Sequence, residues 1–432
     1  MSTPTAARPS LEGSRYDISA RSFWEQDFWA RNEVFAEFRR DCPVSWHRPY
    51  ESTLMPPDED TPGFWSVWKH EDIKYVSRNA KLFDSGRGML MEDFPEVVAQ
   101  ASQSFLCMDD PEHAQLRAIV SQAFTPRRMR KIEDWIRNEV VSAVDDVIEL
   151  GEANVSEALA KQIPGRIFAD FFGLADKDSR TLVMDAAEGM LAWDDPKIAK
   201  GRDALEVYGD ESMKLLDLCY DLIEDRRTNP GEDLLSWCVQ AEVDGRQLED
   251  WEIGAFFTLL ASAGNDTTRH SIAHALQLFT VHEDQRELLL GDLDGRLDGA
   301  VEEILRYIGP VQQFRRNATE DTEIRGQQIK KDDKVVIWYC SGSYDEDVFT
   351  DPTKFDITRT DNKHLGFGGG GPHFCLGSAL GRMMVKYALH EVFTRMPDLR
   401  TGEPEYQVNN FIHGVHHLNA TWTPGPRTGA SA

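Results

Sequence analysis

The 432 residues include 74 acidic and 47 basic side chains, a formal charge of −27 at neutral pH that argues against a nucleic-acid partner. Hydrophobic residues make up 41% of the chain, enough for a large core, but there is no long uncharged apolar stretch of the kind a membrane span requires. Six scattered cysteines (Cys42, Cys107, Cys219, Cys238, Cys340 and Cys375) lack the spacing of a disulfide scaffold and fit a reducing cytoplasm.

Residues 1–13 are polar and rich in Pro, Ser and Ala, with no apolar signal segment, and read as a disordered lead-in. Strand-like pieces at 44–47 and 63–67 flank a Pro/Asp-rich turn, and a helix is expected at about 71–78. Helical signals dominate from about 111 to 308. No proline interrupts the stretch between Pro230 and Pro310, which leaves room for two or three long helices. Segments 334–341 and 418–422 read as a buried strand and a terminal strand. A long irregular stretch, 343–364, leads into a glycine-rich segment. With no repeat and no linker, residues 14–424 are expected to form one domain, followed by a flexible tail at 425–432. The fold class is mainly α with a small β-rich region.

Several clusters along this frame carry chemistry. Asp110-Pro111-Glu112-His113 opens a helix with proline near its first turn and an apolar stripe of Leu116, Ile119, Val120, Ala123 and Phe124. His113 and Arg117 lie one turn apart and can both reach one anionic group. Arg127, Arg128, Arg130 and Lys131 form a basic cluster in an acidic chain. It reads either as a docking patch for an acidic partner or as a solvated helix face.

Ala263-Gly264-Asn265-Asp266-Thr267-Thr268 sits inside a strongly helical segment. Glycine there costs about 1 kcal/mol against alanine and needs a steric reason. The threonines can hydrogen-bond back to the preceding turn. An acid beside a hydroxyl is a sensible proton relay, and a solvent-facing polar patch is the plainer reading. Glu303 and Arg306 share a helical face and are uninformative alone.

The richest segment runs from His364 to Gly377, with four consecutive glycines, Gly368 to Gly371, ahead of Cys375. Glycines let a backbone approach a flat ligand closely. A cysteine at the start of a helix sees the positive end of its dipole, which favours the thiolate, a natural axial ligand for heme iron. The alternative is a small buried hydrophobe. The paired cysteines of a zinc site and the Lys-Ser/Thr of a phosphate loop are both missing.

From about Asp17 to Trp422, these motifs and their order resemble the cytochrome P450 superfamily. The series is completed by Asp351-Pro-Thr-Lys-Phe355-Asp356, ahead of the Cys375 loop. The resemblance implies that family's triangular, mainly α fold and a single heme b with Cys375 as proximal ligand. His113, Arg117, Arg316 and His373 would then contact the propionates, and Ala263, Phe367, Gly368 and Gly377 would also adjoin the heme. Asp266 and Thr267 would be the acid–alcohol pair of oxygen activation, and Glu303 with Arg306 a structural pair. Two departures stand out: one extra residue between Phe367 and Cys375, and Tyr344 where the family usually has arginine. The first, together with Asn410 to Val415, is similar to a bacterial subgroup acting on terpenes, steroids and branched lipids.

The implied activity is a monooxygenase that hydroxylates an unactivated C–H bond of such a hydrophobic molecule. It would use O2 and two NAD(P)H-derived electrons from a ferredoxin docked near Arg127, Arg128, Arg130 and Lys131. Position relative to the motifs suggests a substrate pocket of Met89, Leu90, Met91, Phe94, Leu259, Ala263, Val311, Phe314 and Phe411, with plain core as the rival reading for each. A peroxide-driven peroxygenase, a heme-thiolate binding protein or sensor without turnover, and a helical protein without heme are the alternatives. A cytoplasmic monomer is expected.

Overall fold

The computed structural model describes residues 8–95, 98, 104–121, 124, 126–174, 176–243 and 245–428. Its main helices, in chain order, are α1 (Phe28–Asp41), α2 (His70–Arg78), α3 (Glu112–Ser121), α4 (Pro126–Asp145), α5 (Gln162–Phe171), α6 (Lys177–Leu191), α7 (Ala204–Thr228), α8 (Asp250–Val281), α9 (Leu293–Ile308) and α10 (Ser378–Arg395). Acidic caps start several of them. Asp27 accepts from the amides of Trp29 and Ala30, and Asp176 from that of Ser179. Glu249 and Glu252 form a reciprocal capping box at the start of α8. Gly309, in the left-handed region at φ 51°, ends α9, and Pro310 prevents its continuation. Among the described residues no helix is long and apolar enough to cross a membrane.

Helix α8 is the spine. It packs against α5, α6, α7, α9 and α10, so most of its length is buried. One apolar core fills the space between α4, α8, α9 and α10, and a second joins α6 and α7 to the N-terminal half of α8. The principal sheet has the order β1 (Val44–His47), β2 (Phe64–Val67), β5 (Lys334–Trp338), β4 (Gln313–Ala318), β3 (Phe83–Asp84). Strand β5 runs parallel to β2 and antiparallel to β4, with Val335 opposite Trp65 and Arg316. Trp338 stacks on Trp24 and Trp68 at ring distances of 5.3 and 5.1 Å, which anchors the N-terminal region to this sheet.

The expected strand over 334–341 stops at Trp338, and Tyr339–Gly342 form a helical turn. The Ser341 hydroxyl donates to the Trp68 carbonyl there, turning the chain toward α2. The terminal strand is Asn419–Thr421, paired with both Arg400–Thr401 and Glu152–Asn154.

The described residues nearest each end make specific contacts with the body of the fold. Residues 1–7 lie outside the described residues. Beyond them, the Arg8 guanidinium sits 3.5 Å from the Trp46 ring centre, and the Pro9 carbonyl accepts from the Trp46 amide. At the other end, Thr428 donates to Asp145 through both its amide and its hydroxyl, and Arg427 pairs with Glu149. Residues 429–432 lie outside the described residues.

Candidate active site

A cavity of about 240 Å³ lies between the middle of α8 and the loop that leads into α10. In α8, Ala263 and Gly264 are open to it while Ala261, Ser262, Asn265 and Asp266 are buried. A side chain built on Gly264 or Gly377 would meet no atom within 4 Å, so both glycines border free space, the slot that a flat group requires. Gly366, Phe367, Gly368, Cys375 and Gly377 form the opposite wall.

The four-glycine run is divided between two tasks. Gly368 borders the cavity, but a Cβ on Gly371 would come within 2.3 Å of the Ser77 carbonyl oxygen. The later glycines therefore pack the loop onto the end of α2.

Cys375 opens onto the cavity while protein encloses it. Burial pushes its thiol up, and the Gly377 amide and the charges of Arg117 and Arg382 oppose that rise. A cation bound at the sulfur would complete what these groups begin.

One edge of the slot gathers nitrogen donors. The rings of His113 and His373 lie 4.3 Å apart. Nε2 of His113 and Nδ1 of His373 are buried without a partner, whereas the other His373 nitrogen is 3.1 Å from the Ser85 hydroxyl. Burial, reinforced by Arg316, His113 and Arg117, drives His373 down to about 2. Arg117 lines the cavity and donates to the Phe374 carbonyl, and Arg316 is buried on β4. Orphaned buried donors beside arginines are satisfied by an anionic group. A thiol on one wall, a flat slot and this cationic edge fit a heme.

Thr267 and Asp266 separate. The Thr267 hydroxyl reaches the cavity and donates to the Ala263 carbonyl at 2.7 Å. Consecutive helical residues point roughly 100° apart. Asp266 accordingly turns away from the cavity, 2% exposed, toward Lys161, Glu188 and Arg269. Burial first, then the Glu188 charge, push its carboxyl up to about 7 against the pull of Arg269 and Lys161.

Of the expected pocket residues, Leu259, Ala263, Val311 and Phe314 line the cavity. Met89, Leu90, Met91, Phe94 and Phe411 do not. Phe411 packs on the Phe314 ring at 5.3 Å, Phe94 on Tyr208 at 5.1 Å, and Leu90 and Met91 are buried core. Ile167, Phe168 and Phe171 of α5 reach the cavity and were missed, because their spacing is that of any buried helical face. Arg130 is exposed near the start of α4, and the side chains of Arg127, Arg128 and Lys131 lie outside the described residues.

Comparison with known proteins agrees with this geometry. The family model described as Cytochrome P450 matches residues 296–396, the part that holds the Glu303–Arg306 pair and the Cys375 loop. The methyl-branched lipid omega-hydroxylase of Mycobacterium tuberculosis is 36% identical over 419 residues, 96% of each chain. The steroid C26-monooxygenase of Mycolicibacterium smegmatis is 34% identical over 405 residues, 92% of each chain. Among solved structures, a Mycobacterium marinum cytochrome P450 in complex with pseudoionone superposes with a TM-score of 0.92 at 42% identity, covering 97% of this chain and 100% of that one. Identity sustained over nearly the whole length of such relatives carries the fold and the cofactor with it, and the chain belongs to the cytochrome P450 family as a heme b monooxygenase.

Proposed function

We propose that this monooxygenase hydroxylates an unactivated C–H bond of a neutral, hydrophobic molecule such as a methyl-branched lipid, terpenoid or steroid. The observation that carries the reading is the cavity itself. Apart from Arg117, Thr267, Thr268, Ser271, Tyr339, His373 and the Cys375 thiol, the described groups lining it are apolar side chains and backbone, with no carboxylate among them. The names of the relatives, with methyl-branched lipid and steroid substrates, point the same way.

Cys375 is the iron ligand in this reading. His113, Arg117, Arg316 and His373 hold the propionates, and Ala263, Phe367, Gly368 and Gly377 flank the macrocycle. When bound, the heme supplies the oxygen chemistry, using O2 and two electrons from NAD(P)H through redox partners. The chain contributes position and protons. Leu259, Val311 and Phe314 hold the substrate by burial, the apolar walls exclude water, and the Thr267 hydroxyl, once it leaves the Ala263 carbonyl, presents its proton at the cavity. Asp266, on the far side of α8, replaces that proton. An acidic ferredoxin docking near Arg127, Arg128, Arg130 and Lys131 is the electron donor, and residues 14–424 act as one domain.

The direct test is the carbon monoxide difference spectrum of the dithionite-reduced holoenzyme, followed by titration with methyl-branched alkanes, pseudoionone and cholestane steroids. A strongly red-shifted Soret band and a low-to-high-spin shift with one of these classes support the reading. A band at the position of histidine-ligated heme overturns the role of Cys375. Turnover with hydrogen peroxide alone, and none with any ferredoxin and reductase, overturns the electron partner.

A further inference from the structure

Behind α8, on the side away from the cavity, a π-helical turn (Ser156–Ala160) packs on α8 and α5, and Lys161 at its end reaches α6. The Lys161 ammonium lies 2.9 Å from Glu188 Oε2, 2.8 Å from Asp185 Oδ1 and 3.4 Å from Glu157 Oε2. Arg269 pairs with the same Glu188 Oε2 at 2.8 Å and also with Glu157. Gln407 donates to the other Glu188 oxygen at 3.4 Å. Lys161, Glu188 and Arg269 are all buried, whereas the Asp185 and Glu157 side chains are 61% and 45% exposed and connect the cluster to solvent.

Asp266 stands beside these groups, three residues before Arg269 on the same helix. Among the described residues it has no hydrogen-bond or ion-pair partner. That is unexpected. A buried carboxyl next to an ammonium and a guanidinium ordinarily ionises and pairs with one of them. Here Glu188 lies between both cations, and Asp185 and Glu157 pair with them from outside, while Nε of Arg269 is buried without a hydrogen-bond partner. His270, the neighbouring titratable group on α8, accepts from the Val415 amide at 3.1 Å, and burial holds it far below its ordinary value, so it brings no charge.

We propose that Glu188 is a positioning residue for proton delivery: by engaging Lys161 and Arg269 together it denies Asp266 a counter-ion and keeps that carboxyl protonated on the far side of α8 from the cavity. The inference rests on the reading of Asp266 as the group that replaces the Thr267 proton. The direction of each titration agrees. Against its burial, Arg269 and Lys161 pull Glu188 down to about 2, so it is the ionised member, while Asp266 is pushed up to about 7. A proton that leaves Asp266 for the cavity is regained from solvent, which the cluster meets at Asp185 and Glu157.

The test is an infrared titration of the heme-loaded protein that follows the C=O stretch of the protonated carboxyl, identified as Asp266 by its loss in Asp266→Asn. The parent band is expected to titrate well above the ordinary carboxyl range. Glu188→Gln frees two cations for Asp266 and lowers the midpoint by about one pH unit or more, and the alkaline limb of product formed per NAD(P)H falls with it. Lys161→Met, which removes a cation, moves the midpoint up, and Glu188→Asp restores it toward the parent. If Glu188→Gln does not retain heme, the opposite shift in Lys161→Met and the rescue by Glu188→Asp decide the matter. Unmoved midpoints in the charge-changing variants that retain heme overturn the proposal. Should Asp266→Asn couple as well as the parent while Glu188→Gln still moves the Asp266 band, the proton role of Asp266 falls and the hold of Glu188 on its ionisation stands.

Discussion

Glu303 and Arg306, one turn apart on α9 and both fully buried, face each other through two parallel hydrogen bonds of 2.8 Å. The pair is the hub of the irregular stretch that precedes the Cys375 loop. Glu303 also accepts from the Asp356 amide, Arg359 and Asn362, and Arg306 donates to the carbonyls of Ser343, Pro352 and Lys354. Secondary structure is scarce between residues 343 and 364, so this ion pair takes the place of a ladder in fixing the chain.

Removing one partner leaves the other charged in the core. Glu303→Gln is expected to destabilise the protein by about 3–5 kcal/mol, read from the urea midpoint, and to lower heme retention because the Cys375 loop loses its anchor. A variant with an unchanged midpoint would mean that water reaches Arg306.

Thr267→Ala removes the hydroxyl that reaches the cavity and leaves a small apolar side chain. NAD(P)H consumption should continue while product formed per NAD(P)H falls by about tenfold or more, with hydrogen peroxide making up the difference. Unchanged coupling, measured by product and peroxide together, would remove Thr267 from proton delivery.

Glu92 is 4% exposed, accepts from the Asn410 amide group, and has its other oxygen buried without a partner. Burial raises its carboxyl from 4.5 to about 7. The folded protein therefore holds a proton that the unfolded chain releases at lower pH, and this contribution to stability is lost as pH rises from about 4.5 to 7. Glu92→Gln should flatten the decline between those limits in urea denaturation at a series of pH values. Equal slopes for parent and variant would show Glu92 to be ionised in the fold.

The division between cavity wall and core is open to a paired experiment. Phe411→Ala should cost about 3–5 kcal/mol as a core truncation. Val311→Phe, which adds bulk to the wall, should weaken substrate-induced spin shifts by about tenfold or more while the urea midpoint stays close to that of the parent. If Phe411→Ala mainly changes binding instead, the ring belongs to the pocket.

Tyr344, where the family usually has arginine, is accounted for by packing. Its hydroxyl donates to the Tyr307 carbonyl, and its ring lies 5.3 Å from the Arg306 guanidinium. It thus supports the Glu303–Arg306 hub from the side.

What was legible in the sequence alone was whatever local spacing encodes. Helices and strands follow from apolar period and proline placement, and the cysteine loop, the Thr267 segment and the Glu303–Arg306 pair are each contiguous or one turn apart. Helix geometry then places Thr267 on the cavity side as surely as it turns Asp266 away. Tertiary structure decided everything that depends on which apolar face meets which. Phe411 and Phe171 carry the same hydrophobic signal, yet one is core and the other wall, because burial is non-directional and the sequence does not say where the void lies. The same holds for charge. Lys161, Glu188 and Arg269 come from three separate places in the chain, and only their convergence behind α8 makes the environment of Asp266.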